Sequence, residues 1–434
     1  MQAPTSSVVD WPGSLWAEAR VAEAIHPPLN GDHRADVTVI GAGFTGLRTA
    51  IELAEAGTSV VVLDAGDVGW GASGRNGGQV NPMLPFNSPK QLRELVGPVY
   101  FERLTAASLS SADDLFAFIA RHGIACQARQ RGWLRVLHSP AARRKAEADL
   151  SEWNEHGAGM SLIDGEDVTR LSGTRAYSSG VVAPRGGAVH PLMLAQGMAT
   201  VARNLGVMIH GSSRAERLER KDGNWQVSTG AGRVSSDWVV VATNGYTDDL
   251  VGGLRRSIIP INPIQIATEP LPEKIISEIL PEGHTISDSR RVIMYARREP
   301  DNRIVYGGLG KLDRNGVQSG FDWLQRDAVR VFPQLAGVSW SHRWGGQIAL
   351  TEDHLPHLHE PRTGLLAGLG YNGRGVAMTN VMGKIMAQRV LGAAPDTLAF
   401  PMTKLRPFGL RALKQFGMGP AVGVMRALDW LETR

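Results

Sequence analysis

Two glycine clusters in this 434-residue chain have the spacing of backbone that must touch a phosphate-bearing ligand. Gly41-Ala42-Gly43-Phe44-Thr45-Gly46 is a G-x-G-x-x-G run between an apolar β-branched stretch and one of helical character. In such a run the first glycine permits the tight turn and the second admits a pyrophosphate. The third lets helix and strand pack closely, and the helix start adds N–H donors and a positive dipole end. Asp64 ends the next apolar run, where an acid suits a ribose 2′-hydroxyl rather than a 2′-phosphate. This first pattern fits a dinucleotide and leaves NAD and FAD both open. Gly71-Ala72-Ser73-Gly74-Arg75-Asn76-Gly77-Gly78 follows soon after. A second Gly/Ser loop with an arginine can wrap more phosphate and reach a flavin ring, which an NAD dehydrogenase has no general need for.

Other chemistry-bearing residues are sparse. Cys126 is the single cysteine, so no intramolecular disulfide and no cysteine-based zinc or iron–sulfur site is expected. Glu352, Asp353, His354, His357 and His359 have a metal-like composition, but the intervening Pro356 favours a solvated loop, and no metal is expected. The 46 Lys+Arg against 42 Asp+Glu leave a net charge of +4, and the arginines are scattered, which argues against nucleic acid. No uncharged apolar stretch reaches the roughly 18 residues of a membrane span. Met1 to Leu29 lacks a secretory pattern, and a cytoplasmic location is the expectation.

The elements that must hold these residues read as follows. Asp36 to Ile40 and Val60 to Leu63 are buried-type strands, with a helix from Leu47 to Ala56 between them that Gly57 ends, a βαβ unit. Residues 90–155 have mostly helical period around a strand at Trp133 to Leu137. Pro191 to Leu205 reads as a helix, and Gly206 to Ile209 and Trp238 to Ala242 as strands. Residues 255–310 alternate like antiparallel strands, with a turn at Pro300-Asp301-Asn302. Phe321 to Phe332 is a helix; Gly364 to Gly368 is a strand that leads through Gly373–Gly375 into a helix reaching Leu391. The basic, amphipathic tail 401–434 is expected to pack on the body rather than on a membrane. Pro407, Gly409, Gly417 and Gly419 should break any long helix there.

Gly41–Gly46, Asp64 and Gly71–Gly78 together resemble the D-amino-acid-oxidase-type, FAD-dependent amine oxidoreductases. The Ser-Gly-Arg-Asn-Gly-Gly form is most similar to the branch containing gamma-glutamylputrescine oxidoreductase. Gly187–Pro191, Val241–Gly245, Asp301–Gly308, Trp344–Gly346 and Gly370–Val376 resemble further family motifs in the same order. The similarity runs from about Trp11 to Leu391. It implies an α/β fold: a discontinuous Rossmann-like FAD-binding domain (1–85, 188–250, 343–400) and an α+β substrate domain (86–187, 251–342) with a mainly antiparallel sheet. The tail 401–434 lies outside both.

The resemblance also implies roles. Gly41, Gly43, Phe44, Thr45 and Gly46 should cradle the pyrophosphate, and Asp64 with Ala65 should hold the adenosine ribose. Gly71, Ala72, Ser73, Arg75, Asn76, Gly77 and Gly78 should follow the ribityl chain and ring, and Ala215, Ala242 and Thr243 should meet the nucleotide end. Gly345, Gly370, Asn372, Gly373, Arg374, Gly375 and Val376 should meet the flavin. Arg297, Tyr295, His190 and Trp344 are the candidates for the substrate side, Arg297 as a clamp for an acidic group; Gln265 is a weaker polar candidate. Cys126 lies away from every flavin motif, so non-covalent FAD is expected. The implied reaction is oxidative deamination of an amine, with oxygen or an electron carrier as acceptor. The alternatives are oxidation or demethylation of an N-methyl, cyclic or α-amino acid, and, ranked lower, NAD-linked dehydrogenation.

Overall fold

Residues 11–20, 26–313 and 317–432 are described by the computed structural model. Residues 1–10, 21–25, 314–316 and 433–434 lie outside them. Two large sheets organise the chain. The first has six strands in the order His357–Arg362, Leu365–Leu369, Trp238–Val241, Val37–Ile40, Val60–Leu63 and Met208–His210. It is parallel except at the His357–Arg362 edge. Val37–Ile40, Val60–Leu63 and Leu365–Leu369 are buried along their whole length, as parallel strands covered on both faces must be.

The Phe44–Glu55 helix lies against the Gly375–Val390 helix. They meet closely because Gly383 has no side chain: a Cβ there would stand 2.6 Å from Cβ of Arg48. Thr45 Oγ1 and Tyr371 Oη, 2.6 Å apart, tie the first glycine motif to the last. The Pro89–Arg121 helix, kinked at Gly97 (φ +75°), also packs on the Gly375–Val390 helix. Its Leu92, Phe101 and Leu104 join the core of the first sheet. The sequence division set this helix with the substrate segment; its apolar face sends it to the other body.

The second sheet has eight strands: Trp340–Gly345, Pro263–Thr268, Ile304–Leu309, Tyr295–Arg298, Thr285–Asp288, Trp133–Val136, Ser179–Ala183 and Ser161–Asp164. Every neighbouring pair is antiparallel except Thr285–Asp288 with Trp133–Val136. One face buries Ile264, Ile266, Ile286, Ala296 and Tyr306 under the Phe321–Val331 helix. The strands of the first sheet fall in 1–85, 188–250 and 343–400. Those of the second fall in 86–187 and 251–342, save that Trp340–Gly345 runs across the boundary.

The tail departs from expectation. Arg411–Glu432 is one helix, running through Gly417, Gly419, Pro420 and Gly423. Both ends are tied to the body. Arg411 Nε donates to the Ile258 carbonyl (2.9 Å), and Arg291 Nη1 and Nη2 donate to Asp429 (2.9 Å) and Glu432 (2.6 Å). Tertiary anchoring here outweighs a poor local propensity.

Candidate active site

A single cavity of about 1780 Å³ lies between the first sheet's glycine motifs and the free face of the second sheet. That exceeds the roughly 300–1,000 Å³ of sites for one drug-sized ligand. All the expected cofactor residues line it except Gly46, Gly345 and Gly370. These three act behind the wall, each by lacking a side chain. A Cβ on Gly46 would fall on the Gly41 carbonyl oxygen, one on Gly345 would stand 2.7 Å from the Pro263 carbonyl oxygen, and one on Gly370 would overlap Thr351.

The chain reaches this geometry through local backbone chemistry. Gly41 turns at φ +110°, where a Cβ would approach the Ala242 carbonyl oxygen to 2.9 Å. Gly43 is extended, and a Cβ there would meet Ser73 Oγ at 2.8 Å, the hydroxyl that accepts from the Phe44 amide (2.9 Å). Gly370, Asn372 and Gly373 take φ of +84°, +51° and +91°, a turn that aims the Gly375 helix start at the cavity. Asn372 tolerates its position because its side chain bonds locally, accepting from the Thr351 amide (2.9 Å) and donating to the Gly370 carbonyl (2.5 Å).

Asp64 lines the cavity and accepts from the amides of Ala42 (2.7 Å) and Gly66 (2.8 Å). Burial nevertheless pushes its carboxyl up to about 6. The 71–78 loop is held by its carbonyls, which other segments satisfy. Gln265 Nε2 (2.6 Å) and Trp344 Nε1 (3.1 Å) donate to the Arg75 carbonyl, and Trp16 Nε1 donates to that of Asn76 (2.9 Å). Arg297 Nη1 donates to those of Gly78 (2.9 Å) and Val189 (2.6 Å).

Three of the four substrate-side candidates therefore sit behind the wall. Arg297 is 2% exposed; its Nε and Nη2 are committed to Glu299, itself 4% exposed, and its guanidinium carbon lies 4.8 Å from the Trp16 ring centre. An arginine spent on a buried carboxylate and two carbonyls is no clamp for a substrate acid. His190 is buried as the N-cap of the Pro191–Asn204 helix, where Nδ1 accepts from the Met193 amide (3.2 Å). Burial and then the charge of Arg297 hold it down to about 4, so it is neutral. Trp344 is a buried plug against Trp16. Tyr295 alone of the four lines the cavity, its ring over Gly307 and Gly77, where no Cβ intervenes. Burial holds its phenol well above the usual range.

Tyr295 belongs to one row of residues across the second sheet. Cα pairing runs Trp344–Gln265–Gly307–Tyr295–Ser287–Arg135. The last three line the cavity together with Trp133, two residues before Arg135 on the same strand face. Arg374 lies over Trp133, its guanidinium carbon 4.2 Å from the ring centre. Burial, and then the like charge of Arg135, pull its pKa down to about 9. The sequence reading missed Arg135, Ser287 and Tyr246. The alternation of Trp133 and Arg135 in a recognised strand was the available signal for the first.

The cavity fits a flavin dinucleotide on these observations: glycine walls that a Cβ would fill, two helix starts, and buried polar atoms left without partners. Those atoms are Tyr246 Oη, Gln265 Oε1 and Arg374 Nε. Cys126 is buried away from the cavity lining, its thiol pushed up to about 11 by burial.

The acidic and histidine-rich stretch divides its partners. His357 Nε2 pairs with Asp353 (3.0 Å), His359 Nδ1 with the Thr403 carbonyl (2.8 Å), and Glu352 with Lys414 (2.8 Å). Among the described residues the one three-ligand grouping is His138, Asp429 and Glu432, and Arg291 already occupies its carboxylates.

Comparison with known proteins agrees with this geometry. The family profile described as DAO, FAD dependent oxidoreductase, matches residues 36–389. The chain is 31% identical over 411 residues to the gamma-glutamylputrescine oxidoreductase of Escherichia coli (strain K12), covering 92% of this chain and 94% of that protein. It is 30% identical over 427 residues to the probable oxidoreductase OrdL of Haemophilus influenzae, covering 96% and 97%. The crystal structure of glycine oxidase from Geobacillus kaustophilus has the same fold, with a TM-score of 0.72 at 20% identity over 86% of this chain and 99% of its own.

Proposed function

The chain belongs to the DAO family of FAD-dependent oxidoreductases, and from that premise we propose that it oxidises a small amine at the carbon beside nitrogen. The product imine is hydrolysed to a carbonyl, with oxygen or an electron carrier as the final acceptor. One observation carries the reading: the cavity is walled on one side by the glycine motifs and on the other by Tyr295, Ser287 and Arg135. FAD, when bound, supplies the two-electron acceptor for the hydride. This chain's residues do the rest. In this reading Gly41, Gly43 and the Phe44–Glu55 helix start hold the pyrophosphate, and Asp64 the adenosine ribose. With FAD bound, the Gly375 amide and its helix start, which line the cavity, would stabilise negative charge on the reduced cofactor. The second sheet roofs the cavity and limits water, and Tyr295 orients the amine against it.

We place 1–85, 188–250 and 343–400 in the FAD-binding unit and most of 86–187 and 251–342 in the substrate unit. FAD is held without a covalent bond. The enzyme works in the cytoplasm, in keeping with its single buried cysteine; no helix of the described residues is long and apolar enough to cross a membrane. Anaerobic addition of amines to the purified, FAD-loaded protein tests the reaction. Bleaching of the visible flavin band by at least one of a mono-, di-, γ-glutamyl-, N-methyl- and amino-acid panel is expected. No bleaching by any of them would sink the reading.

A further inference from the structure

The C-terminal helix Arg411–Glu432 lies beyond residues 36–389, the stretch the family profile matches, yet part of it walls the cavity. Near its start Lys414 pairs with Glu352 (2.8 Å), and near its end Asp429 accepts from the amides of Arg291 and Val292 (both 3.1 Å). Val422, Met425 and Asp429 stand at i, i+3 and i+7, one stripe of the helix. Asp429, 4% exposed, turns that stripe toward the second sheet. Val422 and Met425 line the cavity, and so does Ile293, the neighbour of Val292. Met425 faces inward yet is 40% exposed, and Ile293 is 42% exposed. Two large apolar side chains thus stand open on the cavity wall rather than in the core. Ile293 precedes Tyr295 by two residues, at most roughly 7 Å along the chain, and both line the cavity. The wall therefore runs outward from Tyr295 toward the tail helix. The charges around it are met within the protein. Arg290 is bound by Asp288 and Asp327, and Arg291 by Asp429 and Glu432. Arg426 turns aside, its guanidinium carbon 4.1 Å from the Trp323 ring centre, and is not among the residues that line the cavity.

Apolar surface left open to water gains by meeting other apolar surface, in proportion to the area covered. With the neighbouring charges paired, this wall favours hydrocarbon over an ionic group. Resting on the amine-oxidation reading of the same cavity, we propose that Val422, Met425 and Ile293 form an outer apolar subsite that holds the non-reacting hydrocarbon end of the amine. The substrate class narrows to amines whose alkyl or aryl chain reaches past Tyr295 to the tail helix. The tail helix then sets the preferred chain length, while the glycine motifs hold the cofactor.

The test uses the FAD-loaded protein and ligands that differ in chain length alone. Calorimetric titration compares 1-propanol with 1-hexanol, which carry no nitrogen to oxidise; steady-state and anaerobic reduction assays compare propylamine with hexylamine. A fully buried methylene is worth about fourfold in affinity. On a wall partly open to solvent, the three extra methylenes should tighten 1-hexanol at least about tenfold over 1-propanol. Hexylamine should show the lower KM at similar kcat, the mark of binding that is uniform between ground and transition states. Met425→Gln keeps the side-chain length at a partly exposed position, where the fold tolerates it. In that variant the hexyl-to-propyl ratios of affinity and of kcat/KM should fall at least about fivefold. 1-Hexanol binding no tighter than 1-propanol in the unaltered protein, which needs no variant to fold, would overturn the subsite. Ratios unchanged in Met425→Gln would do the same, and a simultaneous loss of FAD would place Met425 against the cofactor instead. If the 1-hexanol preference holds and depends on Met425 while no amine reduces the flavin, the subsite stands and the amine-oxidation reading falls. If amines are oxidised without regard to chain length, the reverse holds.

Discussion

At the scale of single residues, burial decides which polar groups are free to meet a ligand. Arg297 and Glu299 form a pair exposed by only 2% and 4%, and the arginine also carries the Gly78 and Val189 carbonyls. Arg297→Met strips the buried Glu299 carboxylate of both its hydrogen bonds to arginine and leaves it only Arg129 at 3.9 Å, at a cost of about 3 kcal/mol. Thermal scanning should show a large drop in Tm, and activity on acidic and neutral amines should fall by equal factors. A loss confined to acidic amines would return Arg297 to the substrate side. Asp64 gives a pH dependence. Burial raises its folded, FAD-free pKa from the ordinary carboxylate range to about 6, so between those values the folded protein holds a proton that the unfolded chain has lost. Its contribution to stability thus declines as pH rises through that window and is level above it. A ribose hydroxyl needs the ionised acceptor. FAD affinity should therefore be constant above about pH 6 and fall as pH drops below it, and Asp64→Asn should flatten that profile in fluorescence titrations of apoprotein.

At the scale of elements, the site depends on how closely helices and strands approach. Gly46 lies where the Phe44–Glu55 helix passes the Gly41 turn, and a methyl there would land on backbone rather than on a movable side chain. Gly46→Ala should cost about 3 kcal/mol or more and abolish FAD retention. Gly43→Ala meets only Ser73 Oγ, which can rotate, and should keep the fold while weakening FAD. Soluble yield and the flavin-to-protein absorbance ratio separate the two. The C-terminal helix shows the same dependence on contact. Ala421, Val422 and Met425 line the cavity, and Asp429 accepts from the amides of Arg291 and Val292 (both 3.1 Å). Asp429→Ala should release the helix, visible as faster proteolysis within residues 405–432. An unchanged cleavage pattern would show that the Arg411 end suffices.

At the scale of the whole molecule, a cavity between two sheets couples cofactor binding to stability. FAD at about a thousand times its Kd should add roughly 4 kcal/mol, and Tm should climb with FAD concentration. The βαβ unit, the loop at 71–78 and the turn at 370–376 were legible in the sequence, because glycine spacing and short apolar runs are local properties of the backbone. The alternating strands of 255–310 were legible for the same reason. Arg297 and Tyr295 were both assigned to a cavity face by alternation, and alternation is right about the face. It is silent on depth: Arg297 lies one row further in, where Glu299 and two carbonyls absorb its charge. Arg135 lay in a strand the sequence showed, yet its register beside Ser287 joins residues far apart in the chain. The tail helix defied Gly417, Gly419 and Pro420 because Arg291 and Ile258 hold its ends. Residue spacing alone thus determined the dinucleotide cradle, whose chemistry is local backbone geometry. Only the tertiary structure decided where the charge of Arg297 goes, because neutralisation depends on partners that sequence distance does not reveal.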